Sequence, residues 1–357
     1  MKTKTLAACC HYYLMRIISC FQISIQMQFK SIFSYRNKFL KMSRISLLFI
    51  AALLTLLASC DPAQRNITIG YIQITQDPVL DAAKAGVFRA LSDSGFIDGS
   101  TITVLDNNAQ GDLAMINTIL LSLQSQNADL IITNSTPCMV AAAQTVRTIP
   151  VVFTVAFSPE QVDLKTTPAN LHGVYDPLKA SEFADLMLEC IPHLKRIGIP
   201  YNNAEPNAEY SVKMLRREFS VRGITLVTAP VTSTNDILQA GQYLASQQID
   251  AMVVAADNTV YLGLQVLAKL ASEQKIPMFV TDPLQAEKGA AIGFGANYEH
   301  WGYQSGLKAV EILKGRTSAA DKIEPIVSYD LIINTKACSE QGLIISEKVK
   351  NKATRTL

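Results

Sequence analysis

From Asn66 onward the chain alternates short apolar runs with stretches of helical periodicity, and this alternation restricts the fold more than any other feature. Residues 67–72, 102–105, 129–133 and 150–153 read as strands, because each is a short run rich in β-branched side chains. Residues 81–91, 112–123 and 137–146 place their apolar side chains at helical spacing. The series then restarts. Helices are expected over 181–190, 205–221, 234–246, 259–273 and 298–313, with strands at 196–199, 225–227, 251–254, 277–280 and 290–294, and 326–333 closes the pattern. Strands separated by helices form parallel sheets covered on both faces, joined by right-handed crossovers. Two such series of similar length predict an α/β protein of two doubly wound parallel-sheet lobes. In sheets of this kind ligands bind beyond the carboxyl ends of the strands.

The first sixty residues have a different character. Met1 to Cys60 contains no Asp or Glu but eight Lys and Arg, and it ends in an apolar run from Ile45 that closes on Leu57-Ala58-Ser59-Cys60. A basic lead, a short apolar run and small residues have the anatomy of a secretory signal peptide. The run is shorter than the roughly 20 residues needed to cross a bilayer. Its ending resembles the lipobox of bacterial lipoproteins, which implies cleavage before Cys60 and acylation of that cysteine; two or more acyl chains anchor stably. The alternative is an ordinary signal peptide with an incidental Cys. Met42, just before Ser43-Arg44, is the expected translation start. We therefore expect a leader over 1–59, an anchored linker over 60–65, and a protein held to a membrane of the cell envelope on its extracytoplasmic side.

Removing the leader reverses the net charge. The whole chain carries 32 Lys and Arg against 30 Asp and Glu; without the eight leader bases it has 24 against 30, near −6. No basic arm remains to hold nucleic acid. Outside the leader and Cys60, only Cys138, Cys190 and Cys338 are left, an odd number without a CxxC. A disulfide framework is not expected in a chain long enough to bury its own core. His11, His172, His193 and His300 have no metal-ligand spacing, so no metal or cofactor is expected.

Several loop segments carry a family likeness. Ile69-Gly70-Tyr71-Ile72-Gln73, Pro78-Val79-Leu80-Asp81-Ala82-Ala83, Asn108-Ala109-Gln110-Gly111-Asp112 and Ala256-Asp257-Asn258-Thr259-Val260 resemble, in order and spacing, the tryptophan/tyrosine-type substrate-binding lipoproteins of ABC transporters. Tyr201-Asn202, Asp282 and Gly289-Ala290 fit as well. The resemblance runs from about Asn66 to Leu343. It implies the type I periplasmic-binding fold, with three crossovers near 154–176, 295–297 and 321–324. Lobe 1 would comprise 66–173 and 297–322, lobe 2 174–296 and 323–345, and 346–357 a tail. It also implies capture of a small molecule, an aromatic amino acid by preference, and delivery to a permease with its ATPase. Members often carry an acidic residue and His before the first-loop Pro, where this chain has Gln76-Asp77. They often have Asp-Pro after the fourth strand, where it has Ser158-Pro159.

The strand-end loops supply the candidate ligand contacts. Thr136 is a good N-cap with Pro137 at the first helical position. Such a helix start, with Ser135 before it, suits a carboxylate; it also reads as a plain cap. Asp257 and Asp282 end two strands of the second series and suit an ammonium group, yet each equally reads as a cap. Asp257 is the preferred ammonium partner, because the family-like segment carries it. Gln76, Asp77, Ser158, Asn203 and Asn258 are further polar candidates. Phe157, Tyr175 and Tyr201 are candidate aromatic walls, although packing is the commoner role for such residues. Tyr298 lies near the same loops, and Trp301 is expected to pack the final helix.

No G-x-S-x-G, H-E-x-x-H or G-x-x-x-x-G-K-[ST] motif is present, so nothing points to catalysis. A repressor would need a DNA-binding helix pair where this chain has an export signal. An exported sensory receptor of the same fold, or an importer component for a nucleoside or sugar, are the alternative readings.

Overall fold

A computed structural model describes residues 66–316 and 322–357. The expected leader, Met42 and the Cys60 anchor fall outside the described residues. Among the described residues no helix is long and apolar enough to cross a membrane.

The first lobe is built from β1 (Ile67–Gln73), α1 (Pro78–Asp93), β2 (Ile102–Asn108), α2 (Leu113–Ser125), β3 (Leu130–Asn134), α3 (Thr136–Thr145), β4 (Val151–Ala156) and β5 (Leu171–Tyr175). The second begins with α4 (Ala180–Cys190), β6 (Arg196–Tyr201), α5 (Pro206–Val221), β7 (Thr225–Pro230) and α6 (Ile237–Ser246). It continues through β8 (Ala251–Val254), α7 (Asn258–Leu262), α8 (Leu264–Gln274), β9 (Met278–Val280) and β10 (Ile292–Ala296). The chain then returns through α9 (Tyr298–Leu313) and β11 (Ile323–Pro325), and ends in β12 (Tyr329–Ile333), α10 (Thr335–Glu340), α11 (Glu347–Lys350) and β13 (Arg355–Thr356). The sheet orders are β11-β5-β4-β3-β1-β2 and β13-β12-β10-β9-β8-β6-β7. Every pairing in the first sheet is parallel. The second is parallel except where β12 runs antiparallel to β10.

Side chains alternate between sheet faces, so each sheet feeds two cores. Ile131, Val151 and Phe153 pack with Ile116, Leu120 and Met139 of α2 and α3, while Leu130, Ile132 and Val152 pack with Val87 and Leu91 of α1 and Val310 of α9. In the second sheet, Ile197, Val253 and Phe279 face α4 and α5, whereas Met252, Val254 and Val280 face α6 and α8. Cys138, Cys190 and Cys338 are buried and unbridged within these layers.

The final long helix α9 packs against α1 of the first lobe, and two glycines explain how. A Cβ on Gly302 would lie 1.8 Å from the Ala83 carbonyl oxygen, and one on Gly86 2.1 Å from that of Glu299. α1 and α9 therefore meet backbone to backbone, at a separation that only glycine permits.

The lobe limits differ from expectation in three places. β5, read as part of a crossover, is a strand of the first sheet, and the chain crosses at 176–179. β11 pairs with β5, so the third crossover lies at 326–328, beyond the expected 321–324. The expected tail folds onto the second lobe, where Arg355 and Thr356 pair with Ile332 and Ile333. The long helix expected over 259–273 is broken into α7 and α8 at Gly263.

Candidate functional site

The carboxyl ends of β1, β3, β4, β8 and β9 converge on one cavity between the lobes. From the first lobe come Thr75, Asp77, Val79, Leu80, Ser135, Thr136 and the 155–157 segment; from the second come Asn207, Asp257, Asn258, Tyr261, Thr281 and Asp282. Asp176, Leu178, Tyr298 and Trp301 line it where the chain crosses between sheets.

On the first-lobe wall the backbone is strained. Ser135 has φ 130° and Val155 φ 49°. A β-branched residue in the left-handed region is an outlier, of order 1–3 kcal/mol, and such strain clusters at functional sites. Val155 sits where the register of β4 against β5 shifts, a bulge that redirects the following residues. Ser135, rather than Thr136, is the N-cap of α3, its hydroxyl accepting from Cys138 N at 3.4 Å. Thr136 is one residue inside the helix, and its hydroxyl accepts from Phe157 N at 3.2 Å. Pro137 has no N–H to offer. Ser135 and Thr136 line the cavity at this helix start, which offers fewer amides than the sequence suggested.

In the second lobe Asp257 is committed to structure. One oxygen accepts from Val260 N at 2.9 Å, capping α7, and the other from Asn202 N at 2.6 Å. Burial first, and then the neighbouring Glu205, push its carboxyl well above the usual range. Glu205 is itself buried and accepts from the backbone N–H and side chains of both Asn258 and Thr259.

Asp282 is the contrasting case. It is 1% exposed, it lines the cavity, and neither carboxylate oxygen has a hydrogen-bond partner. Burial raises its pKa well above the ordinary value, and the charge of Asp77 adds to the effect. The nearby Tyr298 hydroxyl and Leu284 N–H favour the charged form, but neither reaches bonding geometry. The Tyr261 and Thr281 hydroxyls are also buried without partners. Buried polar groups left so are uncommon and call for an explanation.

Asp77, Ser135, Thr136, Phe157, Asn258 and the two aspartates thus share the cavity; the other candidates do not line it. Gln76 is exposed. Ser158 organises its own turn, donating N–H to Gln161 Oε1 at 2.7 Å. Tyr175 packs beside the first-lobe core and Tyr201 beside the second. Asn203 is exposed in a neighbouring groove at the cleft mouth. Trp301 lines the cavity and donates its indole N–H to Val174 O at 2.8 Å. Glu205 and Asn207 lie past Asn203, at the start of α5, where loop composition gives no sign of them. The strand-end rule, carried to the start of α5, reaches both.

The lobes are also joined directly. Gln285 Nε2 donates to Asp77 Oδ1 at 3.1 Å, and the Lys288 ammonium pairs with the other oxygen. Nearby, Gln161 Nε2 donates to the Tyr210 hydroxyl at 2.8 Å, and the Phe157 and Tyr210 rings lie 4.7 Å apart.

Two lobes closing on a cavity, with an unpaired buried acid inside it, define a binding protein. Residues 68–357 match the family of ABC transporter substrate binding proteins. A tyrosine-binding protein of Clostridioides difficile is 30% identical over 275 residues, which cover 76% of this chain and 79% of that one. The chain belongs to the ABC transporter substrate-binding family and has its type I periplasmic-binding fold. Such proteins work on the extracytoplasmic side as the solute-binding components of importers. A domain from Streptococcus pneumonia in complex with L-Trp superposes with a TM-score of 0.76 at 26% identity, over 82% of this chain and all of that one. An open, ligand-free substrate-binding protein with adhesive properties from Clostridium difficile is 31% identical, over 81% and 98% of the two chains, but superposes with a TM-score of only 0.62. Despite the higher identity to the open protein, this chain is nearer the L-Trp complex in shape.

Proposed function

We propose that the protein binds an aromatic amino acid in the inter-lobe cavity and delivers it to an ABC permease and its ATPase, performing no chemistry on it. The observation that carries this reading is Asp282, a buried acid on the cavity lining whose two oxygens have no hydrogen-bond partner. An ammonium group matches it in charge and supplies three N–H donors. The Thr136 N–H and the Ser135 and Thr136 hydroxyls, at the positive end of α3, suit the ligand carboxylate. Val79, Leu80, Phe157 and Trp301 give the side chain an apolar and aromatic wall. The named relatives, one tyrosine-binding and one holding L-Trp, support the same class.

A ligand that binds only the native state raises stability by RT ln(1 + [L]/Kd), about 2.7 kcal/mol at a hundredfold excess over Kd. L-Tryptophan, L-tyrosine or L-phenylalanine should therefore raise the melting temperature saturably. No shift with any of them, beside a shift with a nucleoside or sugar, overturns the aromatic assignment. The lipobox-like ending at Cys60 supports anchoring by acyl chains. On that reading Cys60→Ser leaves the protein folded but in the soluble fraction, and a variant that still sediments with membranes like the parent removes the anchor.

A further inference from the structure

Asn207 lies at the second position of α5, 6% exposed, with its side chain on the cavity wall. Its Nδ2 donates to Glu205 Oε2 at 3.1 Å and to the Ala256 carbonyl at 2.8 Å. Both of these atoms are acceptors only, so the amide cannot flip without setting oxygen against oxygen. Its Oδ1 is buried and has no partner. Glu205 does not cap its own helix. It spends its carboxylate on Asn258, Thr259 and Asn207, joining the start of α5 to the β8 loop.

The cavity wall of the second lobe therefore presents acceptors: Asn207 Oδ1 and both oxygens of Asp282, with the Tyr261 and Thr281 hydroxyls able to turn either way. With no N–H donor among these groups, the wall favours a ligand group rich in N–H. A single carboxylate leaves at least one of the three N–H bonds of an ammonium to be met elsewhere.

We propose that Asn207 is a specificity-determining contact whose Oδ1 accepts a hydrogen bond from the ligand's ammonium, and that Glu205 is the positioning residue that holds this oxygen toward the cavity. This rests on the amino-acid reading of the site. It separates two roles within the cluster: Asp282 answers the charge, while Asn207 counts the donors and fixes their direction. A secondary or tertiary amine, with fewer N–H bonds, would leave Asn207 unmet.

The test compares L-tryptophan with 3-indolepropionate, which keeps the ring and carboxylate but lacks the amine, by calorimetry on the parent, Asn207→Leu and Glu205→Gln. Asn207→Leu should weaken L-tryptophan about tenfold or more while changing 3-indolepropionate less than about twofold. Glu205→Gln should give a smaller loss with the same selectivity, since its own amide can no longer accept from every donor that now meets the carboxylate. Equal losses for both compounds, or no loss for L-tryptophan, overturn the proposal. A crystal structure of the parent with L-tryptophan decides it independently where 3-indolepropionate binds too weakly to measure. Asn207 Oδ1 within hydrogen-bond distance of the ligand nitrogen supports the contact, and a longer separation overturns it. A parent that binds no aromatic amino acid overturns the amino-acid reading itself, and the contact with it, which is a different outcome from a parent that binds and an Asn207→Leu variant that binds equally well.

Discussion

Asp282 holds a carboxyl group out of water with nothing bonded to either oxygen, so the folded protein raises its pKa. The sign of the linkage follows. A group raised on folding contributes stability below its unfolded pKa, near 3.8, and that contribution is lost as pH climbs toward the folded value. Ligand-free protein should therefore lose stability as pH rises from about 4, and Asp282→Asn, which cannot ionise, should flatten that fall. An ammonium entering the cavity favours the ionised form and expels the proton. Binding of L-tryptophan near neutral pH should release protons, measurable as a dependence of calorimetric enthalpy on the buffer, and affinity should tighten as pH rises toward the folded pKa. Asp282→Asn should abolish the release and weaken binding at least about thirtyfold, since losing one partner of a buried charge pair costs about 2–5 kcal/mol. Unchanged affinity and proton release in that variant would remove Asp282 from the ligand. The choice between Asp257 and Asp282 was not legible in the sequence. Each ends a strand and precedes a helical turn, and only in the fold does Asp257 give both oxygens to backbone N–H groups.

At the scale of elements, most of the fold was legible because the strands are buried on both faces. Ile131-Ile132 and Met252-Val253-Val254 are unbroken apolar runs, and such runs between amphipathic helices have few other solutions. The elements that escaped are the last two strands at one end of the first sheet. β5 is Leu-His-Gly-Val-Tyr, with a glycine that an added Cβ would drive to within 2.5 Å of Phe153, and β11 is three residues ending in proline. Neither has the periodicity of a strand; both are held by pairing with distant chain, which no local window contains. The cap of α3 failed by one residue for a related reason. Thr136-Pro137 has the composition of a cap, but the φ of 130° at Ser135, set by the neighbouring strands, moves the helix start back. The site inherits these errors, since candidates named from loop composition alone, such as Gln76 and Asn203, turn outward once the neighbouring elements set the backbone direction.

For the whole molecule the question is what keeps the lobes together. Asp77 caps α1 through Val79 N at 3.0 Å and at the same time receives Gln285 and Lys288 from the other lobe. The pair is little exposed, 6% for the Asp77 side chain and 21% for Lys288, so solvent screens it less than a surface bridge. A ligand shifts the open–closed equilibrium only by its differential affinity for the two forms, whereas this latch favours the closed form with or without ligand. Lys288→Met should leave the α1 cap intact and remove the main cross-lobe charge pair, for about 1 kcal/mol or somewhat less of closing free energy. Apparent affinity falls in proportion to the closed fraction, so L-tryptophan should bind roughly three- to fivefold more weakly. Small-angle scattering should show the ligand-free variant more expanded than the ligand-free parent, with the difference vanishing at saturating ligand. The same substitution leaves the charge of Asp77 unanswered beside Asp282, raising the Asp282 pKa further, so the pH above which binding stops tightening should move upward in this variant. An identical scattering profile and identical affinity in variant and parent would mean that Asp77 and Lys288 meet without holding the lobes, and closure would then rest on Gln161, Tyr210 and the ligand itself.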